Sequence, residues 1–387
     1  MGPLVRTRDG LLVAVALLGL SACGSAGTTS GPAASSSAEP SSSAPPPTCA
    51  EQTLAGLPLD RQVGQLLMVG VPAGDPVGGT AELGGVPVGG LFLQGRSSAD
   101  AATVGAAVAQ LQEAAALPLQ IAVDQEGGLV QTLQGPGFDR VPSAVEQGRL
   151  DPAALRSATE GWAGQLRAAG ITMDLGPVAD TVPAGTESQN PPIGAVDRQF
   201  GSDPQAVAAS VTAVVGGLQD AGVVATAKHF PGLGRVQVNT DTDLGATDPE
   251  TTPDDPFLAP FAAAVDAGAG AVMVSSATYP QLDPAAPALF SPAVLDLLRG
   301  QLGFDGVVIS DDVGNAAALA ETPLAQRGVD SVAAGVDVVL TVSPADAAPL
   351  AQALTDRATA DEAFAGRVTE AAGRVLALKE RFGLLAC

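Results

Sequence analysis

The chain has 387 residues, which is long for one average domain but ordinary for an α/β barrel, so its length does not require a second domain. Its hydrophobic share of 46% is sufficient for a large core, and its formal net charge of −23 argues against nucleic acid and anionic lipid as direct partners. Aromatic residues make up only 3% of the chain, which argues against a broad binding platform of stacked rings and favours a small pocket.

The first 48 residues have the pattern of an export signal followed by a linker. Arg6 and Arg8 precede an apolar run at residues 11–20, which is too short for a mature membrane span and is typical of a signal peptide, here residues 1–22. The run ends in Leu-Ser-Ala-Cys, which resembles a bacterial lipobox and predicts a lipidated Cys23. The alternative is a soluble secreted protein in which Cys23 is discarded or unmodified. Residues 23–48 then form a lipidated N-terminus and a disordered Ser/Ala/Pro tether.

Two further cysteines, Cys49 and Cys387, stand at the two ends of the expected folded domain, residues 49–387. In an exported protein such a pair predicts a disulfide, although two free thiols are also compatible with the sequence. A closed barrel brings its termini close together, which favours the disulfide.

The domain alternates short β-rich runs with Ala-rich helical segments, which predicts a single (β/α)8 barrel of the α/β class. The predicted strands are residues 65–71, 90–93, 119–123, 171–175, 223–227, 271–275, 307–310 and 336–342. The predicted helices include residues 100–116, 152–169, 204–220, 257–267, 292–302 and 324–334. A doubly wound open sheet is the rival architecture, but the chain lacks a G-x-G-x-x-G motif after its first strand.

Polar residues collect directly after several predicted strands, where (β/α)8 enzymes carry their active sites. They are Asp124, Gln125 and Glu126 after strand three, Asp174 and Asp180 after strand four, Lys228 and His229 after strand five, and Asp311 and Asp312 after strand seven. Any single Asp among them could cap a helix or form a loop ion pair. Their accumulation at one rim predicts an active site there.

At two of these strand ends the residue types indicate a particular chemical role. Lys228 and His229, the only histidine, precede a turn with Pro231 and Gly232, which favours a functional role over a surface lysine and a core histidine. Asp311 ends an apolar strand, and a carboxylate so placed can act as the nucleophile of a retaining glycosidase.

The sequence KHFPGLG at residues 228–234 resembles the KHFPGHG signature of glycoside hydrolase family 3, especially its single-domain bacterial β-N-acetylglucosaminidases. The resemblance extends from about residue 54 to residue 385. It implies a (β/α)8 barrel and a covalent glycosyl-enzyme intermediate. By the same resemblance the Asp after Ser in the strand-seven motif, Asp311, is the nucleophile. The resemblance assigns sugar binding to Asp124, Arg198, Lys228 and His229, and Asp312 is expected to cap the following helix or support its neighbour.

The chain also departs from the family pattern. Leu129 and Thr132 stand where the family usually has arginines, which puts recognition of a charged or N-acetylated muropeptide in question. The loop after strand five has Asn239-Thr240-Asp241 where the family has Asp-Ser-His, so the usual catalytic histidine is absent. We expect Asp241 to act as acid/base, with Asp243 as the nearest substitute.

Two other interpretations of this loop remain open. Residues 239–250 partly match a calcium-loop pattern, but Leu244 replaces its glycine and no helix flanks it. The acid/base function could instead be lost, which would leave a sugar-binding lipoprotein.

The sequence therefore predicts a cofactor-free, metal-free, monomeric glycosidase that is held on the outer face of the cell membrane by its lipid anchor alone. Its expected substrate is a small glycan or muropeptide with a β-linked sugar, N-acetylglucosamine in cell-wall material. The alternatives are a catalytically impaired sugar-binding lipoprotein and a β-glycosidase of different sugar specificity.

Overall fold

The computed structural model describes residues 46–387, of which Pro47–Cys387 form one compact unit. The predicted signal peptide, the lipidation site at Cys23 and nearly all of the tether lie outside the described residues. Within the described part, no helix is long and apolar enough to cross a membrane.

Eight parallel strands form the barrel. They are β1 (Leu67–Pro72), β2 (Gly90–Gln94), β3 (Gln120–Val123), β4 (Met173–Asp174), β5 (Val224–Phe230), β6 (Ala271–Val274), β7 (Val307–Ser310) and β8 (Val339–Thr341). Each strand pairs with its neighbours in chain order, and β1 also pairs with β8. A bridge between Ile309 and Val338 joins β7 to the entrance of β8 and closes the ring. The predicted (β/α)8 barrel is confirmed.

Helices surround the strands. The α-helices of five or more residues are α1 (Cys49–Gly56), α2 (Leu59–Gln65), α3 (Ala101–Ala114), α4 (Pro152–Ala168), α5 (Pro204–Asp220), α6 (Ala259–Asp266), α7 (Pro292–Asp296), α8 (Leu324–Ala334), α9 (Ala347–Ala360) and α10 (Glu362–Arg381). Asp151 and Asp203 begin α4 and α5 by accepting hydrogen bonds from first-turn N–H groups, and each precedes a proline at the first helical position. A capping carboxylate and a proline with no N–H both suit a helix start, so part of the acidic composition serves this local purpose.

The two sides of the strands serve different parts of the core. Met68, Phe92, Met273, Ile309 and Leu340 belong to the cluster inside the barrel. Their strand neighbours, such as Val69, Leu91, Val272 and Val308, pack outward against the helices. This alternation follows from the two-residue period of a strand, and it leaves the inner cluster as the floor beneath the carboxyl ends of the strands.

Several predicted boundaries differ from the observed ones. Strand five was predicted to end at Ala227 but continues through Phe230, because Val178 pairs with Lys228 and Ala179 N donates to Lys228 O at 2.6 Å. The last strand is shorter than the predicted residues 336–342. Before it begins, Asp337 Oδ2 accepts the hydrogen bond of Val308 N at 2.9 Å, which a backbone carbonyl would take in a regular strand pair. The same carboxylate binds three arginines.

Two predicted helices are composite. Residues 257–267 comprise a 3-10 turn, Pro256–Leu258, followed by α6, because Pro260 has no N–H and therefore fits only in the first turn of an α-helix. Residues 292–302 comprise α7 followed by a π-helical turn, Leu297–Gln301.

The two ends of the described domain meet beside α10. Cys49 and Cys387 are joined by a disulfide, with their Cα atoms 5.3 Å apart. Glu380 accepts hydrogen bonds from Cys49 N at 3.1 Å and Ala50 N at 2.9 Å. This carboxylate satisfies N–H groups at the start of α1 and ties it to α10.

Candidate active site

A cleft of about 360 Å³ opens at the carboxyl ends of the strands. Its apolar lining comes from residues above the barrel core, including Phe92, Leu175, Met273 and Leu340. The structure brings all six sequence-predicted catalytic and sugar-binding positions into this one cleft: Asp124, Arg198, Lys228, His229, Asp241 and Asp311. The cleft therefore combines an apolar surface with several charged groups that converge from different elements, as a small-molecule site requires.

Lys228 and Arg198 are held by carboxylates of the segment that follows β3. Lys228 Nζ lies 2.6 Å from Asp124 Oδ1 and 2.6 Å from Glu126 Oε1. Arg198 donates two hydrogen bonds to Glu126, from Nη2 at 2.7 Å and from Nε at 2.8 Å. Glu126 thus joins two of the predicted sugar-binding cations, and its side chain is only 4% exposed.

The charged side chains of these ion pairs stabilise one another. Burial alone would raise the pKa of Glu126, but Arg198 and Lys228 hold it well below its usual range. Burial alone would lower the pKa of Lys228, but Asp124 and Glu126 raise it above its ordinary value. Both groups are therefore ionised at neutral pH, and the cleft carries fixed charges that can accept and donate strong hydrogen bonds to sugar hydroxyls.

Asp174, at the end of β4, is a third carboxyl group, beneath the ion pairs of Asp124 and Glu126. It is buried, and its Oδ1 accepts a hydrogen bond from Gln125 N at 3.0 Å. Burial raises the pKa of Asp174 to about 7. The nearby carboxylates of Asp124 and Glu126 also raise this pKa, whereas Gln125 N and Lys228 lower it. Asp174 is not among the cleft residues, so it supports the position of the Asp124 segment from below.

His229 faces the cleft from the end of β5 and is anchored by Asp180. Its Nδ1 lies 2.8 Å from Asp180 Oδ2, while Asp180 Oδ1 accepts hydrogen bonds from His229 N at 3.2 Å and Leu233 N at 2.7 Å. The Asp180 side chain is completely buried, so it is a support for His229 and not a ligand for a sugar.

Asp311 directly follows β7 and is fixed by the neighbouring strand β6 and by its own turn. Its N–H donates to Val274 O of β6 at 3.0 Å, and its Oδ1 accepts from Asp312 N at 2.9 Å. Burial raises the pKa of Asp311, and Asp241 acts in the same direction, whereas His229 and Lys228 lower it. A nucleophilic carboxylate must be ionised, so the effects of His229 and Lys228 on the pKa of Asp311 favour the form that can attack.

Asp312 is engaged with the backbone. Its Oδ1 accepts from Gly314 N at 2.9 Å and Val342 N at 3.1 Å, and its Oδ2 accepts from Asn315 N at 3.0 Å. Asp312 therefore shapes the turn after β7 and ties it to the end of β8.

The loop after β5 places Asp241 at the cleft. The carbonyl groups of Thr240 and Asp241 accept hydrogen bonds from Ala318 N at 3.1 Å and Ala317 N at 3.3 Å, which fastens this loop to the segment that follows Asp311. The Asp241 side chain lines the cleft and is exposed. It is thus free to meet a bound ligand.

Asp243 has a different environment. Its Oδ2 accepts from Thr242 Oγ1 at 2.8 Å and Asn239 N at 3.3 Å, and it is not among the cleft residues. The other oxygen atoms that the calcium-loop pattern would need as ligands do not point to one common position either. Asn239 Oδ1 accepts from Asp241 N at 2.9 Å, and Glu250 points to Arg235, with Oε2 3.7 Å from Nε.

Sequence reasoning assigned no role to Glu126 or Asp180, although it placed both at the rim. Their partners are distant in the sequence, which is why residue types and spacing alone did not single them out. Of the two positions where arginines were expected, Leu129 is 63% exposed, and Thr132 is buried with its N–H donating to Asp124 O at 2.9 Å.

Comparisons with known proteins agree with this architecture. Residues 58–378 match the model of the glycosyl hydrolase family 3 N-terminal domain. The chain is 39% identical over 292 residues to a β-hexosaminidase of Xanthomonas campestris pv. campestris, covering 73% of this chain and 85% of that one. It is 41% identical over 274 residues to a β-hexosaminidase of Xylella fastidiosa, covering 66% and 77%.

Solved structures give the same result. The crystal structure of a β-N-acetylhexosaminidase from Beutenbergia cavernae is 46% identical, with a TM-score of 0.82, and the match covers 84% of this chain and 99% of that one. A family 3 β-N-acetylglucosaminidase from Paenibacillus is 32% identical, with a TM-score of 0.76 over 86% and 64% of the two chains. The chain therefore belongs to glycosyl hydrolase family 3, and it is a glycosidase that hydrolyses O-glycosyl bonds.

Proposed function

We propose that the protein is a retaining β-N-acetylhexosaminidase that removes a terminal β-linked N-acetylglucosamine from cell-wall-derived glycans. The observation that carries this proposal is the convergence of Asp311, Asp241 and the charged residues Lys228 and Arg198 on one small cleft. The activities for which the relatives are named, β-hexosaminidase and β-N-acetylglucosaminidase, support the choice of sugar.

In the first step the carboxylate of Asp311 attacks the anomeric carbon of the bound sugar. The bond between that carbon and the leaving oxygen breaks, and Asp241 transfers its proton to this oxygen. The product is a sugar ester of Asp311 and a free leaving-group hydroxyl. Because Asp241 is exposed at the mouth of the cleft, it can reach an oxygen that points towards solvent.

In the second step the same pair acts in reverse. Asp241, now a carboxylate, takes a proton from water, and the resulting nucleophile attacks the anomeric carbon and releases Asp311. Two displacements at the same carbon return the sugar with its original configuration.

The sugar is held by the charged residues and by the apolar floor. Asp124 accepts from ring hydroxyls, while Lys228, Arg198 and His229 face the same space from two other elements. Charge-assisted hydrogen bonds of this kind are about twice as strong as neutral ones. Phe92, Met273 and Leu340 offer an apolar surface to the C–H face of the ring.

The proposed site of action is the outer face of the cell membrane. Lipidation of Cys23, followed by the Ser/Ala/Pro-rich segment, would keep the domain close to cell-wall glycans while the anchor alone provides the membrane contact. The net charge of −23 supports this arrangement, because it disfavours direct adsorption of the domain on anionic lipid.

The deciding experiment is hydrolysis of a panel of nitrophenyl β-glycosides by the purified protein, combined with intact mass measurement after reaction with an activated 2-fluoro-sugar. We expect the fastest turnover with the N-acetylglucosamine substrate and a mass increase of one sugar. The matched control is Asp311→Asn, which should remain folded, lose turnover and gain no mass. Sugar binding without turnover or adduct, even with activated substrates, would indicate a sugar-binding lipoprotein, and preference for another sugar would correct the specificity.

A further inference from the structure

The only histidine of the chain is held by a carboxylate that the cleft does not reach. Asp180 is completely buried, its Oδ1 is occupied by the N–H groups of His229 and Leu233, and its Oδ2 lies 2.8 Å from His229 Nδ1. An ionised carboxylate only accepts hydrogen bonds, so Nδ1 must carry a proton and donate it. Nε2 is then the ring nitrogen left for the cleft, and within residues 46–387 it makes no hydrogen bond to the protein.

The ring lines the same cleft as the proposed nucleophile, Asp311. Burial raises the pKa of Asp311, and His229 is the strongest of the groups that oppose this effect, ahead of Asp312 N and Lys228. The other charged side chains that line the cleft with the pair are Asp124, Arg198, Lys228, Asp241 and Asp312. Burial raises the pKa of Tyr279 well above its ordinary value, so this phenol stays neutral. Its hydroxyl donates to Gly232 O at 2.9 Å and therefore leaves Asp180 to the imidazole.

We propose that Asp180 is a positioning residue for the nucleophile: it keeps a proton on His229 Nδ1 and thereby keeps Nε2 as the proton-exchanging atom at the cleft, where a ring that has taken up a second proton stabilises Asp311 as a carboxylate. This inference rests on the proposed role of Asp311. It assigns to Asp180 an effect on the reaction without contact with the sugar.

The substitution Asp180→Asn tests this assignment because asparagine has one oxygen and one amide donor. The two backbone N–H groups occupy the oxygen, so the NH2 group faces Nδ1. Nδ1 must then accept, the ring proton moves to Nε2, and a second proton can no longer be added at Nδ1 while that contact lasts. The positive neighbour of Asp311 is lost while the size of the side chain is unchanged.

The first readout is independent of activity. Since His229 is the only histidine, nitrogen NMR of the full chain labelled with 15N-histidine, purified without a histidine tag, gives one imidazole. We expect the neutral ring to carry its proton on Nδ1 in the wild type and on Nε2 in Asp180→Asn. The matched control, Asp220→Asn, changes an exposed carboxylate at the end of α5 and should leave the spectrum unchanged. A wild-type neutral ring with its proton on Nε2 overturns the proposal, even if no variant folds.

The second readout is the pH profile of kcat/KM with a nitrophenyl glycoside. We expect the acidic limb of Asp180→Asn to move upward by about one pH unit, so that the variant loses about tenfold near pH 5 and much less near pH 8. An equal loss at every pH, or no loss, would show that Asp180 does not act through the ionisation of Asp311. Because the NMR result does not need turnover, an inactive wild type would refute the proposed function without deciding the tautomer.

Discussion

Lys228 Nζ lies 2.6 Å from Glu126 Oε1, and both side chains are almost completely buried beneath the cleft. Glu126 also receives two hydrogen bonds from Arg198, so one carboxylate fixes two cations that come from β5 and from the segment after β4. Removing a single partner from such a buried arrangement leaves uncompensated charge, which typically costs about 3–5 kcal/mol. The sugar-binding side of the cleft therefore depends on a residue that no sugar needs to touch.

We predict that Glu126→Gln raises KM at least about tenfold and lowers kcat less, because Lys228 and Arg198 lose the charge that positions them before the sugar arrives. Steady-state kinetics with the preferred nitrophenyl glycoside would measure both constants. Glu113→Gln, an exposed glutamate on α3, is the matched control and should behave as the wild type. A Glu126→Gln enzyme with unchanged KM would remove this carboxylate from the binding machinery.

Periodicity was enough to predict the barrel, and the strand ends were enough to predict charged residues at its rim, whereas Arg198 and Asp241 were expected at the cleft only from the resemblance to the family. The apolar run before Asp311 ends where β7 ends, and its carboxylate lies at the cleft as expected for a strand-end residue. The extension of β5 over Lys228 and His229 was not predictable, since it depends on pairing with Val178, which only the folded barrel brings alongside.

The supporting carboxylates escaped prediction for a similar reason. Glu126 and Arg198 are 72 positions apart, and Asp180 and His229 are 49 apart. A sequence shows which residues can ionise, but the partner that decides their charge and orientation is set by the closure of the barrel. Asp337, whose carboxylate binds Arg299, Arg367 and Arg374, is another case.

Lys379 gives the fold a predictable pH dependence. It is buried in α10, its only side-chain hydrogen bond in the described part of the chain goes to Gln65 Oε1 at 2.7 Å, and burial lowers its pKa to about 7. The unfolded chain keeps this proton up to about pH 10, whereas the folded chain loses it above about pH 7. The unfolded state therefore binds more protons in this interval, and the free energy of unfolding must rise with pH.

We predict that stability in urea increases from pH 7 to pH 9 and that Lys379→Met abolishes this increase. The control is Arg381→Gln on the same helix, which should retain it because that guanidinium does not titrate in this range. A wild-type stability that is flat or falls over the interval would mean that Lys379 keeps its charge when folded.

The disulfide prediction concerns Cys49 and Cys387. Their proximity beside α10 leads us to expect one linked peptide pair in non-reducing peptide mapping of the native exported protein. Closing a loop of this length should stabilise the fold by about 4 kcal/mol or more, so Cys387→Ser should lower the unfolding midpoint. Two cysteines that react with an alkylating reagent without reduction would contradict the link.

Membrane attachment provides a separate test of the lipobox at residues 20–23. We predict that Cys23→Ala transfers the protein from the membrane fraction to the soluble fraction, because the acyl chains are the proposed anchor. Fractionation with immunodetection would measure this, and Cys387→Ser is the control that should leave the protein in the membrane fraction. Continued membrane association of Cys23→Ala would show that another element holds it.

The acid/base assignment is tested by Asp241→Ala. If Asp241 protonates the leaving oxygen, its loss should slow substrates with poor leaving groups by about 10²–10⁴-fold, while a dinitrophenyl glycoside should still form the glycosyl-enzyme at nearly the normal rate. Hydrolysis of that intermediate then lacks its general base, so added azide should accelerate turnover and yield a glycosyl azide of retained configuration. The wild-type rate should also fall on the alkaline side, because a general acid without its proton cannot protonate the leaving oxygen.

Asp243→Ala is the matched control for this prediction, because Asp243 lies two residues away but holds the turn through Asn239 N and Thr242 Oγ1 and does not line the cleft. We expect it to reduce activity equally for good and poor leaving groups and to show no azide rescue. The reverse pattern, with rescue only in Asp243→Ala, would move the acid/base role to Asp243. Asp241 would have no role in proton transfer if the wild-type rates did not depend on the leaving group and azide did not accelerate the Asp241→Ala variant.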